Sequence, residues 1–326
     1  MTTPGLPPLR RLVSHATPWQ RTLRLAGIEQ GRLRDDYTAA ALLVARRYPV
    51  VYPFVRLLAP AALQPHLWAC TAFGVYADRL VDVPVHRCEP ARFHAWGEHV
   101  RSGLVTGRAA QPFLRAFLHT MQERPIDPAD VHAYLAGQAG RLGVTGYTTE
   151  QDHHDNIDRS TMPAVRIQLA TCRVPLHPRN ETAARLAIDA AQRWDDLADL
   201  ADDLQAGLLT IPETELLRFR VPRADLEAGR DTPAVRALLA DACGRTRSAF
   251  QVAHDALDDA DEAVQLLYRA ILILLAQGMN GLEHQGAALL RPSRLWRVRP
   301  SPTQLLSDTL RAFRSLRTLQ HGTHIG

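Results

Sequence analysis

Steps from a helix-capping residue to proline punctuate this chain, at Thr17-Pro18, Asp127-Pro128, Thr232-Pro233 and Ser301-Pro302. Proline at a first helical position has its φ preset, and its missing N–H costs nothing there. Around these steps Leu, Ala and Val recur at helical spacing over Ala39–Arg47, Ala62–Val81, Pro90–Thr106, Pro112–Glu123 and Asp130–Leu142. The same spacing continues over Glu150–Asp158, Ala164–Ala170, Glu181–Leu204, Pro233–Ala260, Glu262–Gln277 and Pro302–Thr318. No Val/Ile/Thr run alternates with period two, and no Asn-Gly step stands between two such runs. The segment from Leu208 to Pro222 reads as a long loop. The expectation is an all-α fold, a helical bundle forming one domain over residues 1–326, with the first ~20 residues flexible.

Composition narrows the function classes. A chain of 326 residues, 46% hydrophobic and 22% charged, can bury a large core. All 38 Lys+Arg residues are arginine. That excludes a lysine Schiff base, a P-loop lysine and a lysine general base. The formal charge of +4 is small and the arginines are scattered, so no nucleic acid is expected as a partner. Cys70, Cys88, Cys172 and Cys243 lie far apart and read as reduced thiols rather than zinc ligands or disulfides. Met1 to Gln20 lacks an apolar core, so no signal peptide is expected. The apolar run Ala270 to Ala276 falls far short of the ~20 residues that span a bilayer. The expectation is a soluble, cytoplasmic protein, with peripheral membrane contact left open and no indication of oligomeric state.

The chemistry is concentrated in two acidic helices. In Trp194 to Leu204, Asp195, Asp199 and Asp203 recur at every fourth residue and stack along one helical stripe about 12 Å long. Like charges so placed destabilise a helix by roughly 0.2–0.5 kcal/mol per pair, so a counter-charge is needed. Upstream, Asp78 and Asp82 have the same spacing at the end of an apolar helix, where carboxylates oppose the macrodipole. One such motif alone is more often a solvated acidic face. Two, each on an apolar helix and each ending in a break, read as a cradle for Mg²⁺. That ion takes one or two carboxylates and completes its shell from water and substrate phosphates.

These residues resemble the squalene/phytoene synthase family. The resemblance rests on Asp78-x-x-x-Asp82 together with Gln192-x-x-Asp195-x-x-x-Asp199-x-x-x-Asp203-x-x-x-Gly207-x-x-x-x-Pro212, and runs from about Tyr37 to Arg299. Tyr52-x-Phe54-x-x-Leu57-Leu58-x-Pro60 followed by Trp68 is similar to the family's first substrate-binding helix, with one residue inserted. Tyr147 stands at the family's spacing after Gly137. The resemblance implies a class I isoprenoid synthase bundle around a deep apolar cavity. It also implies Mg²⁺-dependent ionisation of an allylic prenyl diphosphate, C15 or C20, with up to three ions stabilising the departing diphosphate.

Departures from that pattern bear on the reaction. Val75 and Ala198 stand where the family usually has arginine, Asp195 where it has asparagine, and Arg79 where an acid is common. Asn156 and Ser160-Thr161-Met162 replace a tyrosine and a small-residue step. Arg159, ahead of Pro163, resembles the arginine beside a helix break with which single-substrate cyclases sense diphosphate. The proline frees a backbone carbonyl whose dipole could face a cation. On the alternative view these polar residues face solvent, with His154/Asp158 and Asp155/Arg159 as i,i+4 pairs. Trp68, Phe73, Tyr76, Trp194 and Tyr268 could line an aromatic cavity or be plain core. The basic run Arg291, Arg294, Arg297 and Arg299 could close over a diphosphate or lie in water.

Taken together, Asp78, Asp82, Asp199 and Asp203 are expected to carry catalysis through Mg²⁺, with Asp195 as a fifth metal ligand and Arg159 as a diphosphate contact. Tyr52, Gln192, Asp195, Asn156 and Tyr268 are expected to bind substrate. The missing arginines tilt the reading toward a single-substrate terpene cyclase. The alternatives are head-to-head condensation of two prenyl diphosphates and a non-catalytic prenyl-binding protein. No nicotinamide-binding glycine motif is visible.

Overall fold

The computed structural model describes residues 16–29, 31–49, 51–82 and 89–291. The expected helix Pro302–Thr318, the Ser301-Pro302 step, Cys88, Arg294, Arg297 and Arg299 lie outside them. Every regular element among the described residues is a helix, with one isolated bridge, Gly146 to Leu209, in place of strands. The described residues divide into two compact units, one within 16–82, 89–142 and 163–175, the other within 143–162 and 176–291.

The first unit contains α1 (Ala16–Leu25), α2 (Gly31–Arg47), α3 (Val51–Leu58), α4 (Gln64–Val81), α5 (Pro90–Thr106), α6 (Pro112–Glu123) and α7 (Pro128–Gly140). Its centre is the mutual packing of α2, α4 and α6. Alanines 40, 41, 69 and 72, all fully buried, let the helix backbones approach closely. Aromatic rings fill what remains: Phe73 stacks on Phe117 with centroids 4.2 Å apart and also meets Trp96 and Tyr134. α7 starts as the sequence predicts, with the Asp127 carboxylate accepting from Ala129 N–H and Pro128 next.

The second unit contains α8 (Glu150–Asn156), α10 (Pro178–Ala198), α11 (Leu200–Ala206), α12 (Glu213–Phe219), α13 (Arg223–Glu227), α14 (Pro233–Leu257) and α15 (Glu262–Gln285). Between α8 and α10 run a π-turn, Ile157–Thr161, and α9, Met162–Thr171, whose residues from Pro163 onward count with the first unit. The long helices α10, α14 and α15 pack on one another. Gly278 on α15 makes room for the Trp194 indole, since a Cβ there would stand 3.0 Å from the ring. Trp194 is thus packed by its own unit. By length and composition the span Glu262–Leu290 could cross a membrane, a stretch longer than the apolar run seen in sequence. Its contacts with α10 and α14 are those of a bundle helix.

Three local differences from the sequence reading have physical causes. The predicted helix Glu181–Leu204 breaks at Asp199 (φ −99°, ψ 3°) into α10 and α11. The predicted loop 208–222 holds α12, started by the extended Pro212 and by Glu213 and Glu215 in its first turn. The predicted break before Pro163 is instead a π-turn closed by Met162 N–H to Ile157 O. The wider turn absorbs a residue that cannot donate to the ladder.

Candidate functional site

The first acidic pair sits where α4 ends. The helix buries Trp68, Ala72, Phe73, Val75, Ala77 and Leu80, which leaves Asp78 half-buried and Asp82 half-exposed as its C-cap. Asp82 N–H donates to Asp78 O at 2.7 Å, so the two residues stay one turn apart on the same side. Burial first, and then the charge of Asp82, push Asp78 up to about 7. Tyr134, Gln138 and Arg141 approach from the end of α7. The Tyr134 hydroxyl bonds to Asp78, and Gln138 Nε2 lies 3.5 Å from Asp78 Oδ1. Arg141 donates from Nη2 to Asp82 Oδ1 at 2.7 Å and from Nη1 to Gln138 Oε1 at 2.8 Å. None of these three was singled out from sequence, because a partner on another helix leaves no spacing signal.

Tyr52 lies in the same unit, buried and stacked on Trp68 with centroids 4.6 Å apart. Burial pushes its phenol up to about 12. Neither the Tyr52 hydroxyl nor Trp68 Nε1 has a hydrogen-bond partner among the described residues.

The second acidic stripe belongs to the other unit. Asp195, Asp199 and Asp203 remain aligned across the break, since Asp199 N–H bonds to Asp195 O at 2.8 Å and Asp203 N–H to Asp199 O at 2.9 Å. Asp195 and Asp202 are exposed, whereas Asp199 and Asp203 are half-buried. Gly207 ends the stripe in the left-handed conformation (φ 89°), and its N–H bonds back to Asp203 O and Leu204 O. The chain after it is tied down by the Gly146–Leu209 bridge, where Leu209 N–H donates to Thr145 O at 2.9 Å. The fixed Gly207-to-Pro212 spacing therefore reflects a turn locked against residues 145–148.

Asp196 is the acid that sequence reading missed. It points away from the stripe and toward α8, with a side chain 14% exposed. Gln192 Nε2 donates to its Oδ1 at 3.1 Å, which places Gln192 on Asp196. Burial, together with Asp195 and Asp203, raises the Asp196 carboxyl well above its ordinary range. Beside it, His153 Nε2 shares a hydrogen bond of 2.9 Å with Asp189, and Arg193 bonds to Asp189 and Glu150. Burial works against the Asp189 carboxylate, but the bonds from His153 and Arg193 hold it down to about 2. This network fastens α8 to α10.

The central segment mixes both views of it. Arg159 pairs with Asp155 at 2.6 Å and is 75% exposed, as the solvent-facing alternative requires. Asp158 pairs not with His154 but with Arg185 of α10, at 2.6 and 3.0 Å. Asn156 accepts from the Ser160 hydroxyl through its backbone oxygen at 2.6 Å and its side chain at 3.1 Å. Tyr268 is buried on α15, and Arg291 is exposed.

The first unit thus holds Tyr52, Asp78 and Asp82, and the second holds Asn156, Arg159, Gln192, Asp195, Asp199, Asp203 and Tyr268. Among the described residues no group of three or more His, Cys, Asp or Glu side chains gathers to hold a metal. The donor set nevertheless fits Mg²⁺. Each motif offers hard carboxylate oxygens, and burial with the neighbouring Asp82 charge raises the Asp78 carboxyl, a place where a bound cation would favour the charged form.

Comparison with known proteins gives one consistent result. Residues 46–304 match the family model described as squalene/phytoene synthase. A curated relative, the bifunctional protein CrtB/UppS of Streptomyces coelicolor, is 27% identical over 65% of this chain, and the match spans 38% of that longer protein. The 15-cis-phytoene synthase of Synechococcus elongatus is 25% identical over 72% of this chain and 82% of its own. Among solved structures, a dehydrosqualene synthase crystallised with a ligand superposes with a TM-score of 0.74 at 15% identity, over 92% of this chain and 99% of that one.

Proposed function

Because this chain belongs to the squalene/phytoene synthase family, a family of prenyl-diphosphate-using enzymes, we propose that it joins two prenyl diphosphates head to head. The observation that carries this reading is the family match over 46–304 with both Asp-x-x-x-Asp motifs kept. The cyclase reading drawn from Val75 and Ala198 is corrected accordingly: its relatives are phytoene synthases and a bifunctional protein, not cyclases. There is also a physical reason to discount the missing arginines. Arg141 and Arg47 bring positive charge to Asp78 from elsewhere in the chain.

In this reading Asp78 and Asp82, and Asp195, Asp199 and Asp203, hold Mg²⁺ through carboxylate oxygen. Bound Mg²⁺ supplies electrostatic stabilisation of the departing diphosphate. Gln192 orients Asp196 behind the stripe, and Tyr52 with Trp68 offers an aromatic surface to a prenyl chain. One substrate ionises to an allylic cation and diphosphate, the alkene of the second adds to the cation, and loss of two protons and of the second diphosphate leaves the joined hydrocarbon. Cys70, Cys172 and Cys243 are free thiols, which suits work in a reducing, cytoplasmic setting.

Incubating purified protein with C15 and C20 prenyl diphosphates separately, with Mg²⁺, tests the proposal. C30 or C40 hydrocarbon products support it. Cyclised C15 or C20 products alone would sink it in favour of the cyclase.

A further inference from the structure

Arg141 has no counterpart in the motifs, yet it is the cation bound to the first of them. Its backbone caps α7 (φ −83°, ψ −15°), and its guanidinium bridges Asp82 Oδ1 at 2.7 Å and Gln138 Oε1 at 2.8 Å. Gln138 Nε2 faces Asp78 Oδ1 at 3.5 Å, so four side chains close a ring from α4 to α7. Both helices end here, at Asp82 and Arg141. Two carboxylates and two helix C-termini make a strongly cation-attracting place, and the resident cation is a guanidinium.

Arg193 and Arg159 are committed elsewhere, and one position of the first motif where arginine is usual holds none. Val75, where an arginine would be expected, is 3% exposed within the core. Arg193 is held by Glu150 and Asp189, and Arg159 by Asp155. The Arg141 side chain is 32% exposed and Asp82 is 49% exposed, so solvent and ligand reach their contact. A planar fork that here donates to one carboxylate oxygen and one amide oxygen has the geometry to donate to a pair of phosphate oxygens.

We infer that Arg141 is a diphosphate-binding residue that guards Asp82 until Mg²⁺ arrives and then transfers its hydrogen bonds to diphosphate oxygen. The inference rests on the function proposed above and names the residue that replaces the missing motif arginine.

Calorimetry on the full chain tests it with Mg²⁺ alone and with Mg²⁺ plus inorganic pyrophosphate. R141Q is expected to bind Mg²⁺ alone several-fold more tightly, since a competing counter-ion is gone. The same variant is expected to bind Mg²⁺–pyrophosphate about 10-fold or more weakly, the loss of one charge-assisted contact. R141K, which keeps the charge without the fork, should fall between. In the wild-type protein, arginine modification by phenylglyoxal mapped by peptide mass gives a second readout. Mg²⁺ alone should speed modification of Arg141, and adding pyrophosphate should suppress it. If Arg141 reacts at one rate in all three states, or R141Q binds pyrophosphate like wild type, the inference is overturned while the function stands. R141Q losing both ligands along with thermal stability would reduce Arg141 to a structural role, which also overturns it. A wild type that binds no Mg²⁺–pyrophosphate overturns both.

Discussion

Gly146 lies so close to Leu209 that a Cβ on residue 146 would stand 2.6 Å from the Leu209 carbonyl oxygen. The contact brings the 145–148 segment onto the turn after the second acidic motif, and Tyr147 N–H and Leu209 O complete it at 3.3 Å. Gly146→Ala is expected to cost about 1–3 kcal/mol, as overpacking against backbone does. Urea unfolding of the variant checks this. A midpoint equal to wild type would mean that the two segments separate freely.

Asp82→Asn and Asp203→Asn test the two motifs separately. Each is expected to lower pyrophosphate release from a prenyl diphosphate by roughly 10²–10³-fold, the scale of removing one preorganised electrostatic contact. Melting temperatures should move little, since Asp82 is half-exposed and its ion pair is of the weakly stabilising surface kind. Release unchanged in both variants would show that the two motifs do not carry catalysis, and a wild type that releases no pyrophosphate would favour the non-catalytic reading.

Acid stability should depend on His66. It is buried beside Tyr37, whose hydroxyl lies 3.3 Å from His66 Nδ1, and Thr120, whose hydroxyl lies 3.2 Å away. Burial, with Arg124 adding to it, lowers His66 from 6.5 to about 3. The unfolded chain therefore takes up a proton that the folded protein refuses. Stability from this group is fully present above pH 6.5 and is lost progressively as pH falls toward about 3. The slope is at most about 1.4 kcal/mol per pH unit. Unfolding free energies of wild type and His66→Asn measured across that range should differ in slope, with the variant flatter.

In the first unit's core, Phe73→Ala removes a ring that touches Phe117, Trp96 and Tyr134. The expected loss is about 3–5 kcal/mol, read from denaturant unfolding. A loss below about 1 kcal/mol would show that the site collapses around the gap.

The helices and the two acidic motifs were legible because they rest on local periodicity. Asp78 and Asp82 share a helical side whatever the rest of the chain does, and Asp127 caps α7 from its own side chain. What escaped depends on partners distant in sequence. Asp196 looks like one more acid in a run, and only the packing of α8 turns it inward. The π-turn at Ile157–Thr161 carries no periodic mark, because one wider turn barely shifts the spacing of apolar residues. Arg159 has the composition of a sensor, but its nearest carboxylate is Asp155, one turn away. The tilt toward a cyclase, which the relatives do not support, rested on motif positions alone: an arginine missing from a motif says nothing about charge delivered by another helix.

The Asp82–Arg141 pair joins residues 59 positions apart in sequence. On the inference drawn for Arg141, a charge missing from a linear motif is supplied from another helix where two helix ends meet. Such a relocation is invisible to any pattern written along one segment. Relatives that lack the usual arginine beside their first aspartate therefore need not have lost activity. They are better sorted by what stands at the end of the helix that carries Gln138.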